Sequence, residues 1–178
     1  MRSRMIESQN AASIIRDAGG KLTGRTRLQK IAYLLEMAGL RVGFDFEYRH
    51  YGPYSDQLAD ALSNAAAASL INEEEKPANW GGTYSVFTFT GASVPAGPAA
   101  SSVRQDFITK AASADPIALE LAATAVFLAK EGERDPWRET ERRKPEKAAV
   151  SLKKSEETVP DSPTGRNSCS AASYRRAR

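Results

Sequence analysis

Apolar positions along this 178-residue chain recur first with a helical period, then with a strand period, then with a helical one, and the changes fall near glycine or proline. The segment from about Met5 to Ala18 carries Ile14 and Ile15 in a helix-permissive background and stops at Gly19-Gly20, a C-terminal break. In "TGRTRLQKIAYLLEMAG", Leu28, Ile31, Ala32 and Leu35 share one helical face, and the segment ends at Gly39. Phe44, Phe46 and Tyr48 then alternate with Asp45, Glu47 and Arg49, which predicts a half-buried strand. After "RHYGPYS" a third helix is predicted, with Leu58, Ala61, Leu62, Ala65 and Ala66 on one face. Ser55 is placed to cap its first amides, and Asp56 lies at the positive end of its dipole.

"INEEEKPANWGGTYSVFTFTG" reads as strand, polar turn and second strand, a β-hairpin whose return strand runs from Tyr84 to Thr90. A Pro/Ala/Ser linker, "ASVPAGPAASS", follows. A further helix begins near Val103 or at Asp115-Pro116, with Ile117, Leu121, Ala125 and Leu128 as its buried stripe. Asp135-Pro136 repeats the start signal for a short charged helix that runs into "RRKPEKAAV". Beyond about Lys154 the chain holds almost nothing apolar, and residues 151–178 are expected to form a disordered tail.

The predicted fold class is therefore α+β, mostly helical. One domain over residues 1–150 holds winged-helix-like helices with a short strand and a β-hairpin, then C-terminal helices and the tail. In a winged-helix unit the helix before the hairpin often reads DNA and the hairpin is the wing. Here that helix has no Lys or Arg between Ser55 and Glu75, and Glu73, Glu74 and Glu75 lie in the following strand. Acidic side chains repel the phosphate backbone, so nucleic acid is disfavoured as a partner. Arg25, Arg27 and Lys30 form a small basic group at the start of the second helix, the one candidate for nucleic-acid contact.

Charge sharpens this reading. The net charge of +3 divides unevenly: from Ser151 onward six Lys or Arg stand against three Asp or Glu, leaving nineteen of each sign in residues 1–150. The folded part is neutral, so the basic balance says little about what it binds. No apolar run reaches the roughly 20 residues of a membrane helix. The N-terminus lacks an apolar h-region and cleavage pattern, which predicts a cytoplasmic protein. The single Cys169 cannot form an internal disulfide. Oligomeric state is left open by the sequence.

Candidate chemistry is sparse. A hydrolytic triad must use His50, the only histidine, with Ser55 and either Asp45 or Asp56, yet there is no nucleophile elbow and Ser55 has a simpler use as a cap. One His and one remote Cys cannot supply the ligands of a zinc site, and no Walker or dinucleotide glycine pattern occurs. No enzyme activity, metal or cofactor is expected. Tyr48, Tyr51 and Tyr54 are residues of the kind enriched at binding hot spots, with Arg49 and His50 among them. Gly52, Pro53 and Tyr54 are read chiefly as a tight corner, Gly52 permitting a positive φ. Continued strand alternation puts Arg49 and Tyr51 on the face opposite Tyr48 and His50, and makes Arg49 and Tyr51 the better contact candidates, with His50 and Tyr54 beside them.

"GRTRLQKIAYLLE", "FEYRHYGPYSDQLADAL", the hairpin "YSVFTFTG", "ALELAATAVFLAKEG" and the late "RKP" together resemble the Panacea domain family, also called SocA-like or phage-associated antitoxin domains. The resemblance covers roughly residues 8 to 150 and departs from the family pattern at Ala65–Ala68, where a bulkier apolar residue is usual. It implies a small, mostly helical, winged-helix-related protein that neutralises a partner toxin by binding it directly. The alternative is a winged-helix DNA-binding transcriptional regulator.

Overall fold

The computed structural model describes residues 2–40, 42–79, 81–94 and 102–157. Three elements open the chain: α1 (Arg2–Asp17), β1 (Lys21–Thr23) and α2 (Arg25–Met37). A small hairpin of β2 (Glu47–Arg49) and β3 (Gly52–Tyr54) leads into α3 (Asp56–Ala67), and the long hairpin follows as β4 (Ile71–Pro77) and β5 (Thr83–Phe89). Four helices complete it: α4 (Ser102–Ser113), α5 (Pro116–Lys130), α6 (Pro136–Arg143) and α7 (Pro145–Glu157).

The three-stranded antiparallel sheet has the order β1-β5-β4, with Leu22 opposite Phe87 and Glu74 opposite Val86. Helix, strand, two helices and a hairpin whose return strand pairs with the first strand make a winged-helix-like arrangement, but the sequence placed the short strand after the second helix. The strand that completes the sheet is β1, however, a three-residue segment between Gly20 and Gly24 that has too few positions to show a period. The predicted strand over Phe44–Tyr48 is paired only from Glu47. Its alternation survives as burial, with Phe44 buried and Phe46 half-buried.

Buried residues from α1, α2, α3 and the three-stranded sheet meet in one core. Ala11, Ile14 and Ile15 of α1, Leu28, Ile31 and Leu35 of α2, and Leu58, Ala61 and Ala65 of α3 enclose Ile71 and Phe87 of the sheet. The small residues of α3 let α1 lie close against it. A buried polar link ties α4 to α1, where the Arg104 guanidinium pairs with Asp17 and donates to Ser13 Oγ at 2.9 Å. Asp115 caps α5 by accepting from the amides of Ile117 and Ala118, and Asp135 caps α6 by accepting from Arg138.

At the C-terminus the sequence reading is corrected in part. Lys144-Pro145 divides the predicted charged segment into α6 and α7, since proline starts a helix readily and does not continue one. Helix α7 continues to Glu157, so residues 151–157, expected to be unfolded, are helical. The remainder of the expected tail, residues 158–178, lies outside the described residues.

Candidate functional site

Lys30 and Gln29 of α2 fix the small β2-β3 hairpin from beneath. Lys30 Nζ donates to the Pro53 carbonyl at 2.6 Å. The Gln29 amide donates to the Ser55 carbonyl and accepts from the Ser55 amide, both at 2.9 Å. Ser55 Oγ in turn accepts from Leu58 N at 3.2 Å, so the residue ending the corner also starts α3. Gly52 adopts φ +86, and a Cβ there would lie 2.9 Å from Thr124 Oγ1 of α5. Both the backbone conformation and the close approach call for glycine.

His50 and Tyr51 form the turn between the paired residues Arg49 and Gly52. Alternation ends at Arg49, which corrects the expectation that His50 shares a face with Tyr48 opposite Tyr51. Tyr48 packs inward against Phe127 of α5, ring centroids 5.2 Å apart. His50 and Tyr51 sit edge to face at 4.8 Å, exposed at the tip, with 55% of Tyr51 open to solvent. Arg49 pairs with Asp56 in the first turn of α3, lies 3.9 Å from Glu47, and covers the half-buried Tyr54 ring at 5.0 Å. Its side chain remains 47% exposed.

The C-terminal helices reach this tip with three cations that the sequence reading did not single out. Arg143 lies over the Tyr48 ring at 5.5 Å, and Lys147 over the Tyr51 ring at 5.0 Å. Beneath them the buried Glu120 of α5 accepts from Lys144 at 2.5 Å and from Lys147 at 2.7 and 2.8 Å. Burial pushes the Glu120 carboxyl up, but hydrogen bonds from Lys144 and Lys147 and their positive charges outweigh it, leaving it below its ordinary value. Glu139, held by hydrogen bonds from Arg142 and Arg143, is lowered to about 2. Burial lowers Lys30 to about 8; Glu120 opposes that shift, and Lys144 and Lys147 add to it. Between tip and helices runs an open cleft of about 310 Å³ lined by His50, Tyr51, Arg143, Lys144, Glu146 and Lys147 among others.

The other predicted basic group is dispersed. Arg25 pairs with Glu73 of β4 at 2.8 Å and donates to Ser85 Oγ at 3.1 Å. Arg27 donates to the Ala112 carbonyl of α4. Lys30 is 2% exposed, so it is a core residue and not the surface contact its sequence position suggested. These three side chains do not form one basic surface. Ser55 Oγ is committed to the α3 cap and Asp56 to Arg49. Among the described residues no group of three or more His, Cys, Asp or Glu could hold a metal ion, and no helix is long and apolar enough to cross a membrane. The class defined by this fold is a winged-helix-like α+β domain with a helical C-terminal extension. No protein-family model matches the chain, and no curated protein shows significant similarity to it.

Proposed function

We propose that this protein is a non-enzymatic protein-binding module, acting in the cytoplasm as an antitoxin of the Panacea type that neutralises a toxin by covering it. The observation that carries the reading is the hairpin tip, where an exposed Tyr51, its edge-on neighbour His50 and the half-exposed Arg49 project from a corner fixed by buried hydrogen bonds. A rigid aromatic anchor loses little entropy on binding, and Tyr and Arg dominate the energetics of protein interfaces. The antitoxin role rests on the resemblance of the Y-G-P-Y-S corner and the helix before it.

Co-purification from the native host tests this. Arg49→Ala with Tyr51→Ala should lose the partner, at a cost of about 2 kcal/mol or more, with an unchanged thermal midpoint. The β1-β5-β4 sheet behind α3 favours a second reading as a DNA-binding regulator. That reading prevails if the chain binds duplex DNA tightly and salt-steeply, Arg25→Ala with Arg27→Ala abolishes it, and no protein partner responds to the tip mutations.

A further inference from the structure

We infer that the cleft between the hairpin tip and α6-α7 is a subsite for an acidic segment of the partner protein, one carboxylate-bearing side chain beside an aromatic or apolar one. The inference deepens the protein-binding reading and rests on it. Arg143, Lys144 and Lys147 bring three cations to the lining, against the single carboxylate of Glu146. Their internal partners, Glu120 and Glu139, come from α5 and from the preceding turns of α6, and neither lines the cleft. Glu120 and Glu139 offset much of this charge and Lys144 is only 8% exposed, but the part-exposed Arg143 and Lys147 are what an incoming group meets first, since their carboxylate partners stand outside the lining.

Two further features point the same way. Helix α7 begins at this cleft with Pro145, and the first amides of a helix have no carbonyl within it to accept them, so they remain as donors here, although the C-terminal end of α6 at Arg143 offsets the field of the α7 dipole. Tyr51 supplies an exposed ring beside these charges, so an incoming carboxylate meets cations and its apolar neighbour meets an aromatic face.

A protein carboxylate fits better than nucleic acid. The same side chains already grip carboxylates inside the molecule: Arg143 donates to Glu139 at 2.7 Å, and Lys147 spans both oxygens of Glu120. A space of about 310 Å³ takes one or two side chains. A duplex needs a continuous basic stripe, whereas β4 beside the α3 face carries Glu73, Glu74 and Glu75.

The test is titration calorimetry of the full chain with a synthetic peptide of alternating Glu and Phe, the same peptide with Gln for Glu, and duplex DNA. The acidic peptide should bind at least about tenfold more tightly than the Gln peptide, and less tightly as salt rises. Arg143→Gln and Tyr51→Ala should each weaken it by about fivefold or more, while Lys110→Gln on α4 leaves it unchanged. Arg143→Gln is the more informative variant, because Glu139 retains Arg142 and the fold keeps its buried contacts. Equal binding of the two peptides, or indifference to Arg143→Gln, overturns the inference, as does duplex DNA outcompeting the acidic peptide. If a co-purifying partner is lost with Tyr51→Ala but ignores Arg143→Gln and salt, this subsite is wrong and the protein-binding reading stands. Charge-dependent peptide binding without any partner sensitive to the tip has the opposite meaning.

Discussion

Gly52 brings the hairpin backbone close against Thr124 of α5, and two separate costs meet any side chain there. At φ +86 an L-residue is strained, and a Cβ would press on Thr124 Oγ1 at 2.9 Å. Gly52→Ala should destabilise the protein by about 2 to 4 kcal/mol in denaturant unfolding, the backbone supplying about half. Combining it with Thr124→Ala should recover the steric part, a coupling of about 1 kcal/mol or more. A cost below about 1 kcal/mol, or strict additivity, would show that the corner yields. The glycine's conformation was readable from Y-G-P-Y-S, because turn chemistry is local. Its opponent was not, since nothing in the sequence near Thr124 announces a neighbour some seventy residues earlier. Lys30 illustrates the same limit: it looked like one of three surface cations, and only the fold shows it donating to Pro53 from the interior.

Elements were legible in proportion to their length and the regularity of their period. Helices α2, α3 and α5 and the long hairpin follow from apolar spacing and caps, while β1 and β3, each three residues long, exist through pairing alone. The docking of α6 and α7 was hidden for another reason. Glu120 reads as a polar interruption in "ALELAATAVFLAK", yet it is the buried carboxylate on which Lys144 and Lys147 converge. Removing one partner of a buried ion pair leaves the other uncompensated, commonly costing about 3 to 5 kcal/mol. Glu120→Gln, which keeps one acceptor, should cost about 2 to 4 kcal/mol. It should also raise amide exchange over residues 148–151 well before the core opens. Protection of α7 identical to the wild type would mean that Pro145 and apolar packing hold this helix, with the ion pairs as bystanders.

At the scale of the whole molecule, the chain has a winged-helix topology without a basic face on the helix that usually meets DNA, and its cations gather instead at the C-terminal extension. The class of fold was visible in the order of elements. The gathering of charge was not, because Tyr51 and Lys147 become neighbours only once α7 folds back over the hairpin. Burying Lys30 beneath that junction gives the fold a dependence on pH. Its value falls from 10.5 to about 8, mainly through burial, with Glu120 of α5 opposing the shift and Lys144 and Lys147 reinforcing it. The unfolded chain then binds this proton more tightly than the folded one. The destabilising contribution is complete below pH 8 and is relieved as pH rises toward 10.5. Tyr33, raised to about 12 chiefly by burial and then by Glu131, acts oppositely but only above its ordinary value of 10. The clean window is therefore pH 8 to 10, in which the wild type should gain stability by at most about 1.4 kcal/mol per pH unit. Lys30→Met should be offset throughout by the lost bond to Pro53 and should lack this slope. Parallel curves for the two proteins across that window would show that Lys30 keeps its proton in the folded state.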